Sequence, residues 1–238
     1  MRNFIKKIIR WLLGEKILGA IDFFRFPHLF SRSSAFNNQN NRKLLFGNIV
    51  TKIVFKAIVE TGTFRGETSA YMSQVSGLPV FTVELHPRYY GYSKARNLLN
   101  RNVHIFHSDS RAALKVLARK SSLLNQKVFF YLDAHWNTDL PLVEEIEIIF
   151  KSWDKAVIMI DDFQVPFDNG YKFDNYGPGK ILCLSLLRPI NHLNFKIFFP
   201  SQKSESESGH KRGCVLLTRD ERLVEVLADI NELVRHDF

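Results

Sequence analysis

Between about Lys43 and Asp162, short apolar runs rich in Val, Ile and Phe alternate with longer amphipathic stretches. The runs are FKAIVE, VFTVE, VHIFH, KVFFYLD and AVIMID, and ETSAYMSQVS, PRYYGYSKARNLLN, SRAALKVLARK and LPLVEEIEIIFKSW separate them. Strands that return in one direction need a crossover of about a dozen residues or more, which a helix supplies, so this rhythm predicts a parallel sheet covered on both faces. A helix-like stretch precedes the first strand. After Asp162 come a long loop, FQVPFDNGYKFDNYGPG, a helix over KILCLSLL, strands FKIFFP and GCVLLT, and a closing helix over ERLVEVLADINELV. The loop SQKSESESGHK between the last two strands is too short for a parallel crossover, so they pair antiparallel. The expected fold is α/β: a Rossmann-like doubly wound sheet of seven strands, mostly parallel with a C-terminal antiparallel hairpin, and helices on both faces.

The apolar content of 45% and the 21 Phe exclude a disordered chain, and 238 residues suffice for one large domain with a small appendage. A formal net charge of +9 suits acidic partners such as nucleic acid, phosphorylated substrates or an anionic membrane surface. The appendage is read over residues 1–41 and the main domain over 42–238. In the appendage Ile5, Ile8, Ile9, Leu12 and Leu13 share one helical face and Lys6, Lys7 and Arg10 take the other, while SRSSAFNNQNN has linker composition. This helix can pack on its own domain, mediate homo-oligomer formation or lie on a membrane as a peripheral contact. Glu15 and Lys16 interrupt its apolar part, which argues against an export signal. Cys183 and Cys214 have neither metal nor redox spacing and read as packed thiols, so a cytoplasmic location is expected.

Doubly wound sheets bind ligands beyond the carboxyl ends of their strands. The first such turn is VETGTFRGETS, where Gly62 and Gly66 permit close backbone approach, and Glu67 and Thr68 open a helix whose first amides are free for an anionic group. Its G-x-x-x-G spacing is not the dinucleotide fingerprint. The second strand ends in Glu84, placed to accept two ribose hydroxyls, and the third in HSDS, where Ser108 and Asp109 face the position of an adenine. Each feature alone also suits a plain tight turn or a solvated strand end; in this order they outline an adenosine site.

VETGTFRGETS, FTVELH, HSDS, YLDAHW and IDDF together resemble the class I S-adenosylmethionine (SAM)-dependent methyltransferases from about Ile53 to Thr218. The order is most similar to metal-dependent O-methyltransferases of the catechol type and their relatives acting on sugars and macrolides. The resemblance implies that Glu60, Gly62, Thr63, Gly66 and Thr68 line the SAM loop, that Glu84 holds the ribose, and that Ser108 and Asp109 lie near the adenine. It implies that Asp133, Asp161 and Asp162 bind Mg²⁺ or Mn²⁺, which would lower the pKa of an acceptor hydroxyl and orient it. A lysine base follows the tryptophan in catechol-type enzymes; here Asn137 stands after Trp136, and His135 is the nearest substitute. Asp133 and His135 are thus the expected catalytic residues, and Trp136 a pocket wall. The long loop, with Tyr171, Asn175 and Tyr176 and flexible points at Gly170, Gly177 and Gly179, is expected to cover a small polar hydroxylated acceptor such as a sugar. A non-catalytic cofactor-binding or assembly subunit is a rival reading. A nucleic-acid methyltransferase is another, although YLDAHW lacks the N/D-P-P-Y/F type of motif common in enzymes acting on amino groups of bases, so nucleic acid is not the expected partner.

Overall fold

The computed structural model describes residues 2–25, 32–120, 122–135 and 139–237, with backbone only for 2–13 and 32–33. The expected apolar face of residues 5–13 and the expected wall Trp136 therefore lie outside the described side chains. Five strands, β1 (Ala57–Thr61), β2 (Val80–Glu84), β3 (Val103–His107), β4 (Val128–Leu132) and β5 (Ala156–Asp161), run parallel. Then β6 (Lys196–Pro200), β7 (Cys214–Thr218) and β8 (Leu233–His236) complete the sheet in the order β3-β2-β1-β4-β5-β7-β6-β8. The strand order reverses between β1 and β4, whose carboxyl ends open the ligand-binding edge of a doubly wound sheet.

Eight strands replace the expected seven. The spacing of Leu223, Leu227, Ile230 and Leu233 prolongs a helical pattern, but the helix ends at Ala228, and Leu233 to His236 add an antiparallel strand to the free side of β6. The predicted β6–β7 pairing is antiparallel, as is β5–β7. The helix expected over 180–187 is confined to Leu184–Leu187.

Alternation along the central strands divides the core. Val128, Phe130 and Leu132, with Ala156, Ile158 and Ile160, meet α5 (Ser110–Leu117) and α6 (Leu142–Ser152) on one face. Phe129, Tyr131, Val157 and Met159 meet α2 (Asn40–Lys52), α3 (Glu67–Ser76) and α8 (Glu221–Ala228) on the other. Asp161 closes β5 with the parity of Val157 and Met159, so its side chain enters the α2 face.

The N-terminal helix α1 (Arg2–Arg25) bends at Gly14, where φ is +67°. Its later part lies against α4 (Pro87–Arg96) at a glycine-to-backbone crossing: a Cβ on Gly91 would come within 1.8 Å of the Lys16 carbonyl oxygen. Arg88 fastens the crossing to Glu15 and Asp22 at 3.0 and 2.6 Å. The stretch expected as a spacer is packed over part of its length. Phe36 is 1% exposed and meets Phe46, Tyr71 and Tyr131 edge-on or tilted, and Gln39 donates to the Arg212 carbonyl at 2.8 Å. Phe36→Ala should therefore cost about 3–5 kcal/mol in urea-unfolding measurements, as for a buried aromatic; a change within about 0.5 kcal/mol, normal for a spacer residue, would show that this contact is not made.

Candidate active site

The turn after β1 is held from below by Glu60. This side chain is 1% exposed, and its Oε2 accepts from Thr82 Oγ1 at 2.6 Å and from Ser69 Oγ. Burial raises its pKa to about 7, with the two hydroxyls offsetting part of the rise. Thr63 bonds side chain to side chain with Thr82 at 2.6 Å. Gly62 has φ +88°, and a Cβ there would stand 2.2 Å from the Asp133 carbonyl oxygen, so only glycine lets β1 and β4 close together. Gly66, at φ +77°, begins α3. Glu84 is 8% exposed and accepts from the backbone N–H groups of Phe64 and His86, each at 2.7 Å, which fixes its carboxylate at the end of β2.

These residues gather at one edge; two other expected cofactor residues are committed elsewhere. Thr68 Oγ1 accepts from the Phe36 N–H at 3.3 Å. Asp109 caps α5, accepting from the N–H groups of Arg111 and Ala112 at 3.0 and 3.2 Å, and pairs with the Arg111 guanidinium, which holds its carboxyl below the usual range. Ser108 continues the β2–β3 pairing through its N–H to the Glu84 carbonyl.

The acids of β4 and β5 separate into two sets. Asp161 is 1% exposed and faces α2, where Arg42 pairs with Oδ1, while Tyr131 and Asn37 donate to Oδ2 at 2.6 and 3.1 Å. Burial opposes its charge, yet Arg42 and the Tyr131 hydroxyl keep its carboxyl below the ordinary range. Asp161, expected to share a site with Asp133 and Asp162, is thus turned to these donors and is not among the three residues that come together beside it. Asp162 is the first residue beyond β5 and adopts φ +54°, a left-handed conformation that aspartate tolerates. That turn brings it beside Asp133 and His135, and the three offer one ligand atom each, all within 4.8 Å of one another.

Charge is concentrated around this second set. Loss of water, then Asp161 and Asp162, raise the Asp133 carboxyl well above its ordinary range, and burial together with Asp161 brings Asp162 to about 7 despite Arg212. Arg212 binds Asp162 Oδ1 at 2.5 Å and also pairs with Asp174. His135 is buried, which lowers its pKa and keeps the imidazole neutral near pH 7. Its Nε2 lies 3.8 Å from Asp133 Oδ1 and 4.0 Å from Asp174 Oδ2.

The long loop after β5 is docked along this edge. Asp174 N–H donates to the Asp162 carbonyl at 2.9 Å, and the Tyr176 hydroxyl bonds Asp174 and the His135 carbonyl, the latter at 3.2 Å. Of the loop residues expected to meet an acceptor, Tyr176 reaches the cluster. Tyr171 is buried and donates to the Gln202 carbonyl, and Asn175 accepts from the Gly177 N–H. Arg42 and Arg212 were not anticipated, because each arrives from a segment distant in sequence; Asp174 belongs to the loop expected over the site but was not among the residues singled out in it.

Neither a protein-family model nor a curated protein sequence matches the chain. Solved structures do. The O-methyltransferase from Bacillus cereus in complex with S-adenosylhomocysteine (SAH) superposes with a TM-score of 0.56 at 14% identity, covering 91% of this chain and 97% of that one. The O-methyltransferase TomG from Streptomyces achromogenes, involved in tomaymycin synthesis and solved with SAM, gives 0.52 at 16% identity over 74% and 78%. The SAH-bound methyltransferase PaMTH1 of Podospora anserina gives 0.50 at 12% identity over 92% and 95%. The chain has a class I O-methyltransferase fold. Beyond the common strand order, β8 is an additional edge strand.

Under the edge of this methyltransferase fold lies a further carboxyl group. Glu145, in the first turn of α6, is 1% exposed, and its Oε1 has no hydrogen-bond partner among the described residues. Burial raises its pKa from 4.5 to about 7, against the pull of the Ser110 and Thr61 hydroxyls. Below pH 4.5 both folded and unfolded chains hold this proton, so it has no effect on stability. From there to about pH 7 only the unfolded chain releases it, and stability falls as pH rises. Glu145→Gln should remove this dependence. Urea titrations at pH 5 and pH 8 should show the variant gaining up to about 3 kcal/mol on the parent at the higher pH; parallel pH profiles would contradict a buried neutral carboxyl.

Proposed function

We propose that this chain is a SAM-dependent O-methyltransferase acting on a hydroxyl of a small polar acceptor, with a sugar or glycoconjugate as the preferred class. One observation carries the reading: a fixed, nearly buried Glu84 and a glycine turn stand at the same sheet edge as the Asp133–His135–Asp162 cluster. The first pair suits the donor's ribose and methionine parts, with Glu60 bracing the turn. The cluster is assigned to the acceptor oxygen. The solved relatives at TM-scores of 0.50 to 0.56 that were crystallised with SAM or SAH support the choice of cofactor.

Methyl transfer needs the acceptor oxygen aligned with the sulfonium methyl, and it needs the hydroxyl proton removed. The neutral His135 offers Nε2 as a lone pair that can take a proton or bind a cation. Asp174 and Tyr176 fix the loop against His135 and give the acceptor a polar wall. The donor set fits a divalent cation: two carboxylates and an unpartnered imidazole nitrogen converge. Asp133 and Asp162, with His135 beside them, would hold Mg²⁺ or Mn²⁺, which would polarise the acceptor hydroxyl when bound.

Glu84→Gln keeps an acceptor for a backbone N–H but loses the charge offered to the ribose. Calorimetry with SAH should show affinity weakened by about tenfold to a hundredfold, the equivalent of about 1.5–3 kcal/mol for charge-assisted bonds. Unchanged affinity in the folded variant would remove Glu84 from the cofactor site. Chelation should suppress methyl transfer to a hydroxylated acceptor panel and leave SAH binding within about threefold. Full transfer in chelator would exclude cation assistance.

A further inference from the structure

The ligand atoms that remain once Asp161 is withdrawn are not those of an all-oxygen site. Asp133, His135 and Asp162 each contribute one, within 4.8 Å of one another. His135 is the deciding member. Its side chain is 2% exposed and Nε2 has no hydrogen-bond partner among the described residues, although a buried polar atom left alone costs about 1–3 kcal/mol. The nearest carboxylate oxygens, at 3.8 and 4.0 Å, are too far for hydrogen bonds. A nitrogen and two carboxylates whose ligand atoms lie this close together are what a single ion would satisfy.

The charges point the same way. Arg42 pairs with Asp161, and Arg212 with Asp162 and Asp174, while Asp133 lies beside His135. With all four carboxylates ionised, as ligation of a cation would require, they exceed the two guanidinium groups by two charges, the complement of one divalent cation. Arg42 already supplies the positive charge at Asp161, from inside the core.

We infer that the cluster is a mixed nitrogen–oxygen site which takes a transition-metal dication of the Mn²⁺ to Zn²⁺ series in preference to Mg²⁺, with the Arg42 guanidinium standing in the place of a cation at Asp161. Magnesium favours an all-oxygen, near-octahedral shell and gives up water reluctantly, whereas imidazole is a good ligand for the later first-row ions. The assignment rests on the methyltransferase reading for the use of the ion in catalysis, and not for its binding.

The test uses the full chain, with histidine labelled with ¹⁵N in a parallel preparation. Pulsed electron paramagnetic resonance of bound Mn²⁺ should show coupling to a directly ligated histidine nitrogen, altered by the label and lost in His135→Asn. His135→Asn should weaken Mn²⁺ binding by about tenfold or more while changing Mg²⁺ binding by less than about threefold. Displacing Mn²⁺ from the unmodified protein should need about a hundredfold excess of Mg²⁺ or more. Absence of Mn²⁺ binding, absence of nitrogen coupling, coupling that survives in His135→Asn, or displacement by equimolar Mg²⁺ would each overturn the inference. SAH calorimetry on the same samples separates the two readings: no SAH binding beside a nitrogen-coupled ion would defeat the methyltransferase reading alone, and SAH binding without the coupling would defeat this inference alone.

Discussion

The buried pair between Arg42 and Asp161 is the constraint on which the arrangement of the site depends. Alternation along β5 sends Asp161 into the face covered by α2, where water is absent and an unpaired carboxylate is not tolerated. Removing one partner of such a pair generally costs about 3–5 kcal/mol, because the remaining charge is stranded. Arg42 meets this need, and its Nη2 also donates to the Arg212 carbonyl at 2.5 Å. The side chain of Arg212 then reaches Asp162 and Asp174. A single connected network therefore runs from the segment before β1, through the end of β5, to the long loop and the segment before β7.

Glu207 makes this connection rigid. Its carboxylate accepts from the backbone N–H groups of Asn41 and Arg42 at 3.0 and 3.2 Å, tying the start of α2 to the loop before β7. Two stretches far apart in sequence thus share one charged anchor. The consequence for the chemistry is placement. Asp162 can turn toward Asp133 because its neighbour Asp161 is held from below, and the left-handed backbone at Asp162 is kept in register by Arg212.

Much of the frame was readable because it depends on local periodicity. Strand-sized apolar runs separated by helices specify parallel β1 to β5, and the short β6–β7 connection specifies the antiparallel end. Gly62 and Glu84 were readable for a similar reason: the ends of β1 and β2 require a residue without a Cβ and leave room for an acid. The division of the acid pair was half legible. The run AVIMID places Asp161 in phase with Val157 and Met159, but Arg42 lies 119 residues away and carries no local mark of its destination. Asp109 was expected near the adenine and Thr68 at the cofactor loop, yet the carboxylate of Asp109 caps a helix and the Thr68 hydroxyl accepts from the Phe36 N–H. Polar composition hid the anchoring of residues 35–39, because one buried phenylalanine outweighs many small polar neighbours in deciding where a segment lies. The eighth strand was concealed by apolar residues whose spacing also continues a helix, and its pairing with β6 is a tertiary event.

That eighth strand has a consequence for the molecule among its copies. Without it, β6 would end the sheet with the apolar sequence KIFFP and a row of open backbone groups, the kind of edge that recruits strands from other chains. β8 closes this side with only four residues, and its own outer edge carries Arg235 and His236, followed by Asp237 at 3.6 Å from the Arg235 guanidinium. A border bearing charge replaces a more apolar one. A strand of this kind, short and charged at its border, is one of the devices that protect sheet edges against pairing between molecules.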